Sequence, residues 1–191
     1  IDRGLVGSEM CIRDRSVTGS SGAGTSTVKH TFQQIFRRES VKAVTLEGDA
    51  FHRYNRKEMK KELEKRHAAG DATFSHFSFD ANLLPELEDC FRNYSEQGTC
   101  RYRHYIHNSN EENLYGAKSG NFTKWKKFEE PSDLLFYEGL HGAVVNEEIN
   151  LARYADLKIG VVPVINLEWI QKIHRDTDSR GYSTEAVTDT I

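Results

Sequence analysis

The 191-residue chain has no long apolar run, few cysteines and no excess of charge of one sign. Its most apolar stretch, near "LKIGVVPVINL", falls far short of the roughly 20 residues a membrane span needs. It is also interrupted by Lys158 and Pro163, so no membrane partner is expected. No apolar stretch of signal-peptide length follows the early charges of "IDRGLVGSEMCIRDR". With 26 Lys+Arg against 29 Asp+Glu, the net charge of -3 gives no overall basic field, which argues against nucleic acid as the main partner. Cys11, Cys90 and Cys100 have no metal-ligand spacing and form no dense disulfide framework, a usage that fits a reducing cytoplasm.

A further absence lies in "SVTGSSGAGTSTVKH", Ser16 to His30. "GSSGAGTS", from Gly19 to Ser26, satisfies G-x-x-x-x-G-[K]-[ST] at each fixed position except the lysine, where Thr25 stands. Glycines in such a loop let backbone amides converge on phosphate oxygens. A helix opening behind the loop adds the positive end of its dipole, and Ser26 would offer a hydroxyl to magnesium. The competing reading is a flexible Gly/Ser turn.

The loop should hang from a buried strand, which reads as a near-continuous apolar run. Arg13, Asp14 and Arg15 occupy that place instead. Residues 1–15 are therefore expected to be a non-native or disordered segment that replaces the first strand. Downstream, the pattern predicts a helix from Ser26 to Arg38 and a strand from Val41 to about Leu46. It also predicts an exposed helix over "NRKEMKKELEKRHAAG", a helix from Pro85 to Tyr94, strands at "CRYRHYIH" and "DLLFYEG", and a loop at "NSNEENLYGAKSGN". A helix turn and strand in "INLARYADLKIGVVPV" and a helix over "INLEWIQKIHRDTD" follow. Strands alternating with helices, phosphate loop first, point to a parallel sheet covered on both faces.

Three strand ends supply candidate chemistry. In "EGDAFHRYNR", Asp49 stands at a strand's carboxyl end with His52, Arg53 and Arg56 beyond it. A carboxylate there can take the proton of an attacking hydroxyl while the cations hold an anionic acceptor; the competing reading of Asp49 alone is a helix N-cap. In "LLFYEGLHG", Glu138 ends an apolar strand, as a magnesium-shell acid or an ordinary polar terminus. In "QKIHRDTDSRG", Lys172 and Arg175 share a helix face and Arg180 follows in a loop, a cationic edge over phosphates or a solvated face. His104 and His107 are expected on opposite faces of a strand, which argues against a zinc site. Tyr102, Tyr105 and Phe122 read as packing residues, because the acidic neighbours Glu111 and Glu112 oppose a base-stacking role.

Taken together, "GSSGAGTSTVKHTFQQIFRRE", "EGDAFHRYNR", "AAGDATFSHFSFDAN", "LLFYEGLHGAVVN" and "ADLKIGVVPVINLEWIQKIHRDTDSRGYSTEAVTD" resemble the bacterial phosphoribulokinases of the Calvin cycle, from about Ser16 to Ile191. The resemblance implies an α/β fold like that of the P-loop nucleoside triphosphate hydrolases, a mostly parallel sheet with helices on both faces. Residues 16–191 would form a P-loop kinase domain, incomplete at its carboxyl end. The implied reaction moves the ATP γ-phosphoryl group to the 1-hydroxyl of D-ribulose 5-phosphate, with Mg²⁺, in the cytoplasm.

Carried over by position, Asp49 is the general base. Asp176 is a second catalytic carboxylate, and Lys172 and Arg175 supply cations to the reaction. Gly19, Ser20, Ser21, Gly22, Ala23, Gly24, Thr25, Ser26 and Thr27, with Arg180, bind ATP. His52 and Arg56 hold the sugar phosphate, and Ser26 and Glu138 face the metal. The resemblance also implies a homo-oligomer in the full-length protein and an NADH effector whose regulation involves Arg38. Bacterial members resemble this chain in having threonine at the lysine position, with Lys172 as the substitute charge. Ala23 stands where the plant form carries a regulatory cysteine. Two other readings are another small-molecule kinase, uridine- or pantothenate-kinase-like, and a non-catalytic nucleotide-binding fragment.

Overall fold

The computed structural model describes residues 13–128, 130–178, 181 and 183–188. The chain runs β1 (Arg13–Gly19), α1 (Thr25–Arg38), β2 (Ala43–Glu47), α2 (Arg56–Ala68), α3 (Leu84–Gln97), β3 (Arg101–Tyr102) and α4 (Ser109–Tyr115). It continues through β4 (Lys126–Lys127), β5 (Leu134–Gly139), β6 (Leu157–Val161), α5 (Ile165–Asp178) and α6 (Thr184–Thr188). Four strands form a parallel sheet in the order β2-β5-β1-β6, and β3 and β4 make a small antiparallel ribbon.

β5 explains why helices cover both faces. Its residues Leu134 to Tyr137 are all buried, as expected of a strand enclosed on both sides. Alternation sends Leu135 and Tyr137 into a core with Leu87, Phe91 and Tyr94 of α3. Leu134 and Phe136 face the other way, onto Phe32 and Phe36 of α1 with Val17 of β1. The rings of Phe36 and Phe136 meet edge-on at 5.6 Å, and those of Phe91 and Tyr137 at 5.4 Å. Each such fully buried aromatic contributes about 2 to 3 kcal/mol of transfer free energy.

The first strand corrects the expectation for residues 13–15. They are paired strand at the centre of the sheet, with Arg13 to Thr18 in register with Leu134 to Gly139 and Arg15 to Gly19 with Leu157 to Val161. Ladders on both sides impose the extended backbone where side-chain pattern alone does not. Polar anchors replace the apolar run. The Asp14 amide donates to Asp156 Oδ2 at 2.8 Å, and the Ser16 hydroxyl donates to the Gly142 carbonyl at 2.9 Å. Asp14 is only 2% exposed, and neither carboxylate oxygen has a hydrogen-bond partner among the described residues. Burial first, then the charge of Asp156, pushes its pKa up to about 7. Residues 1–12 lie outside the described residues.

Other differences have local causes. The segment expected to be a strand from Cys100 to His107 pairs only at Arg101 and Tyr102, plus one isolated bridge from Tyr105 to Phe122. Part of the expected loop is α4, opened by Asn108, whose side chain accepts from the amides of Asn110 and Glu111. α3 runs past Tyr94 and ends at Gly98, whose φ of 69° reverses the chain. That reversal lays Cys100 back against the helix, where it is disulfide-bonded to Cys90 with Cα atoms 4.8 Å apart. Among the described residues no helix is long and apolar enough to cross a membrane. Beside the outer strand β6, α5 exposes Ile165, Leu167, Trp169 and Ile170.

Candidate active site

The parallel sheet aligns the carboxyl ends of β1, β2 and β5 along one edge, where ligands of open α/β sheets gather. There β1 passes into the glycine loop, β2 into a 3-10 turn (Gly48–Phe51), and β5 ends at Glu138 and Gly139. A cleft of about 780 Å³ opens along that edge. Gly19, Ser20, Ser21, Gly22, Thr25 and Ser26 all line it; Ala23, Gly24 and Thr27 do not. Ala23 is buried at 7% exposure, and Thr27 lies exposed past the loop.

The loop closes through the Ala23 amide bonding the Ser20 carbonyl at 3.0 Å. Gly22, at φ 98°, has no room for a side chain, since a Cβ would meet the Lys172 Cβ and the Glu168 carbonyl at 3.1 Å each. α5 therefore packs directly on the loop. From it, Arg175 Nη2 donates to Ser21 Oγ at 2.9 Å and its Nε to Asp176 Oδ1 at 2.8 Å. Lys172 and Asp176, one turn apart, are each 7% exposed, and the Lys172 ammonium stands 5.8 Å from the centre of the Phe77 ring. The expected cationic edge is a packed wall of the cleft. Arg180 lies outside the described residues.

Across from this wall, Asp49 sits between two imidazoles. Its Oδ1 is 3.3 Å from His52 Nε2 and its Oδ2 is 3.5 Å from His107 Nε2. Burial alone would depress the His52 imidazolium, but the hydrogen bond and charge of Asp49 outweigh it and hold its pKa above the ordinary value. The other His52 nitrogen, Nδ1, pairs with Asn82 Oδ1 at 2.8 Å, fixing the ring. Arg56 begins α2 at the cleft and donates to the His107 carbonyl at 3.2 Å and to Ser119 Oγ at 3.4 Å.

Glu138 accepts from Thr25 Oγ1 at 2.5 Å. The residue in place of the loop lysine thus ties the glycine loop to the end of β5. Glu138 and Ser26 present oxygen donors to the same cleft, the hard donor set that suits Mg²⁺.

Of the residues expected at the site, Asp49, His52, Arg56, Glu138, Lys172, Arg175 and Asp176 all line this one cleft. Arg38 is elsewhere, at the opposite end of α1, about 20 Å of helix from Thr25, where it pairs with Glu39 at 2.8 Å. Four contributors were missed. His107, expected on a strand face as an unremarkable histidine, reaches Asp49 because the chain leaves the β3 ribbon after Tyr102. Arg103 holds the turn that carries Asp49, donating to the Ala50 carbonyl at 2.8 Å and the His52 carbonyl at 2.7 Å. Its guanidinium lies 3.6 Å from the Phe122 ring centre, and burial lowers its pKa to about 10. Lys29 and Glu47 complete the floor by an ion pair at 2.7 Å. A single basic residue in a polar stretch carries no pattern that separates these roles from a solvated charge.

Comparison with known proteins gives the family and the fold. Residues 15–191 match the model of the phosphoribulokinase / uridine kinase family. Over 176 residues the chain is 70% identical to "Phosphoribulokinase 1" of Cereibacter sphaeroides and 62% identical to the phosphoribulokinase of Nitrobacter vulgaris. Each match takes in 92% of this chain and 61% of the relative, so the chain spans about three fifths of the length of these proteins. The solved phosphoribulokinase from Rhodobacter spheroides superposes with a TM-score of 0.80 at 65% identity, covering 95% of this chain and 62% of that one. A possible uridine kinase from Bacillus stearothermophilus shares the fold, with a TM-score of 0.57 at 13% identity over 96% of this chain and 88% of its own. The chain is a member of the phosphoribulokinase / uridine kinase family.

Proposed function

We propose that the chain carries the catalytic face of an ATP-dependent kinase that phosphorylates the 1-hydroxyl of D-ribulose 5-phosphate, giving ribulose 1,5-bisphosphate and ADP. The observation that carries this reading is the opposition of Asp49, held between His52 and His107, to the glycine loop with Lys172 and Arg175 above it. Identity of 70% to a named phosphoribulokinase supports the choice of acceptor.

In this reading the loop amides and the N-terminus of α1 receive the nucleotide phosphates. Asp49 accepts the proton of the acceptor hydroxyl as its oxygen bonds to the γ-phosphorus and the bond to the ADP oxygen breaks. His52 and Arg56 hold the phosphate at the far end of the sugar, which aims the reacting hydroxyl at Asp49. Lys172 and Arg175 place positive charge on the transferring group, the role a loop lysine would otherwise fill. Glu138 and Ser26 would hold Mg²⁺, which would supply charge neutralisation for the nucleotide phosphates.

The test is product identification. Incubation with ATP, Mg²⁺ and a panel of ribulose 5-phosphate, uridine and pantothenate, followed by ³¹P NMR, should yield a new phosphomonoester only with the sugar phosphate. Phosphorylation of uridine or pantothenate in its place would contradict the proposal.

A further inference from the structure

Glu47 and Glu138 are register partners on the neighbouring parallel strands β2 and β5, so two carboxylates stand side by side at the floor of the cleft. Like charges placed this way repel. Lys29, whose side chain is 13% exposed, pairs with both. Its Nζ lies 2.7 Å from Glu47 Oε1 and 3.6 Å from Glu138 Oε2. Lys29 follows Thr25 by one helical turn and so shares its face of α1. The two residues divide the Glu138 carboxylate, with Thr25 donating to Oε1 and Lys29 facing Oε2. The cation absent from the loop therefore has a counterpart one turn deeper, directed at acids.

We propose that Lys29 is a positioning residue whose charge reduces the Glu47–Glu138 pair from two negative charges to one, and that this balance sets how the cleft divides its affinity between divalent cations and nucleotide. Without it, the pair would attract a divalent cation more strongly and repel the polyphosphate. With it, Glu138 keeps one orientation toward the loop. The inference rests on the kinase reading of the cleft.

The experiment measures binding to the 191-residue chain by two probes. Mn²⁺ is titrated by electron paramagnetic resonance without nucleotide, and ATP by calorimetry in the presence of a chelator. Lys29→Met should tighten Mn²⁺ by about tenfold and weaken metal-free ATP by about tenfold, the scale expected of one unit charge a few ångströms away in a partly screened site. Lys29→Arg should stay within about twofold of the parent on both, because charge is kept. The double variant Lys29→Met with Glu47→Gln restores a single negative charge and should return both affinities toward the parent. A role in packing alone would lower the melting temperature of Lys29→Met with both affinities unchanged, which would overturn the inference. Failure of Glu47→Gln to rescue would overturn it too, by pointing to direct contact between Lys29 and phosphate. Should Lys29→Met not fold, Glu47→Gln alone decides the matter: weaker Mn²⁺ and tighter ATP support the proposal, and any other pattern overturns it. A folded parent chain that binds neither probe would instead overturn the kinase reading itself, and this inference with it.

Discussion

Asp49 Oδ2 lies 3.5 Å from His107 Nε2, joining the turn after β2 to a segment that precedes α4. With His52 on the other oxygen, the carboxylate is held from both sides. Replacing His107 by Ala should lower kcat by about ten- to a hundredfold, on the scale of a group that orients a general base, with a smaller change in KM for ATP. Steady-state kinetics with each substrate varied in turn checks this. Unchanged kcat would show that His107 only packs there.

Arg103 offers a second test of how the turn is held. Loss of two charge-assisted hydrogen bonds to the Ala50 and His52 carbonyls, and of the stacking on Phe122 and Trp125, should cost Arg103→Met about 2 to 4 kcal/mol in stability. Urea denaturation measures that directly. Because the turn carries Asp49 and His52, KM for the sugar phosphate should rise more than KM for ATP. Arg103→Lys should recover only part of either loss, since an ammonium cannot reach both carbonyls in a fixed fork.

Asp14 makes a prediction about pH. Its folded pKa of about 7 lies above the ordinary value of 3.8, so the folded state holds the proton more tightly than the unfolded chain. The raised pKa makes no difference well below pH 4, where both states are protonated. Stability should then fall as pH rises from about 4 to 7, and level off above that. Asp14→Val should raise stability at pH 8 by on the order of 2 to 4 kcal/mol and flatten that part of the profile, since a partnerless buried carboxyl is removed. Melting temperatures of both proteins between pH 4 and pH 8 are the check.

Removing the link from α5 to the loop should weaken nucleotide binding selectively. Arg175→Ala deletes the bond to Ser21 at 2.9 Å and the pairing with Asp176 at 2.8 Å. ATP affinity should fall by about tenfold and kcat by more, because the lost charge acts chiefly on the transferring group. Calorimetric titration with ATP separates the first effect from the second.

How far these features could be read beforehand depends on whether the information is local. The glycine loop, the acids at the ends of β2 and β5 and the basic face of α5 each follow from a pattern within about ten residues, and all line the one cleft. β1 was not legible from its side chains. Its extended form is dictated by β5 and β6, which pair with it from both sides and tolerate Asp14 and Ser16 where apolar residues were expected. His107, Arg103 and Lys29 gain their roles from partners on other elements. Odd spacing along an assumed strand misdirected His107, because strand pairing stops at Tyr102 apart from one bridge at Tyr105. The Cys90–Cys100 bond was hidden for the same reason, since it depends on the chain reversal at Gly98.

The most direct test of the account is ADP release from ATP, Mg²⁺ and ribulose 5-phosphate, measured on the chain and on Asp49→Asn, with ATP affinity determined for both. The substitution keeps the shape of the side chain and removes its capacity to take a proton. Turnover should fall by about a thousandfold or more while ATP affinity stays within a few-fold, because the nucleotide loop is untouched. Turnover retained by a folded Asp49→Asn chain would contradict the assignment of Asp49 as the base and the mechanism built on it.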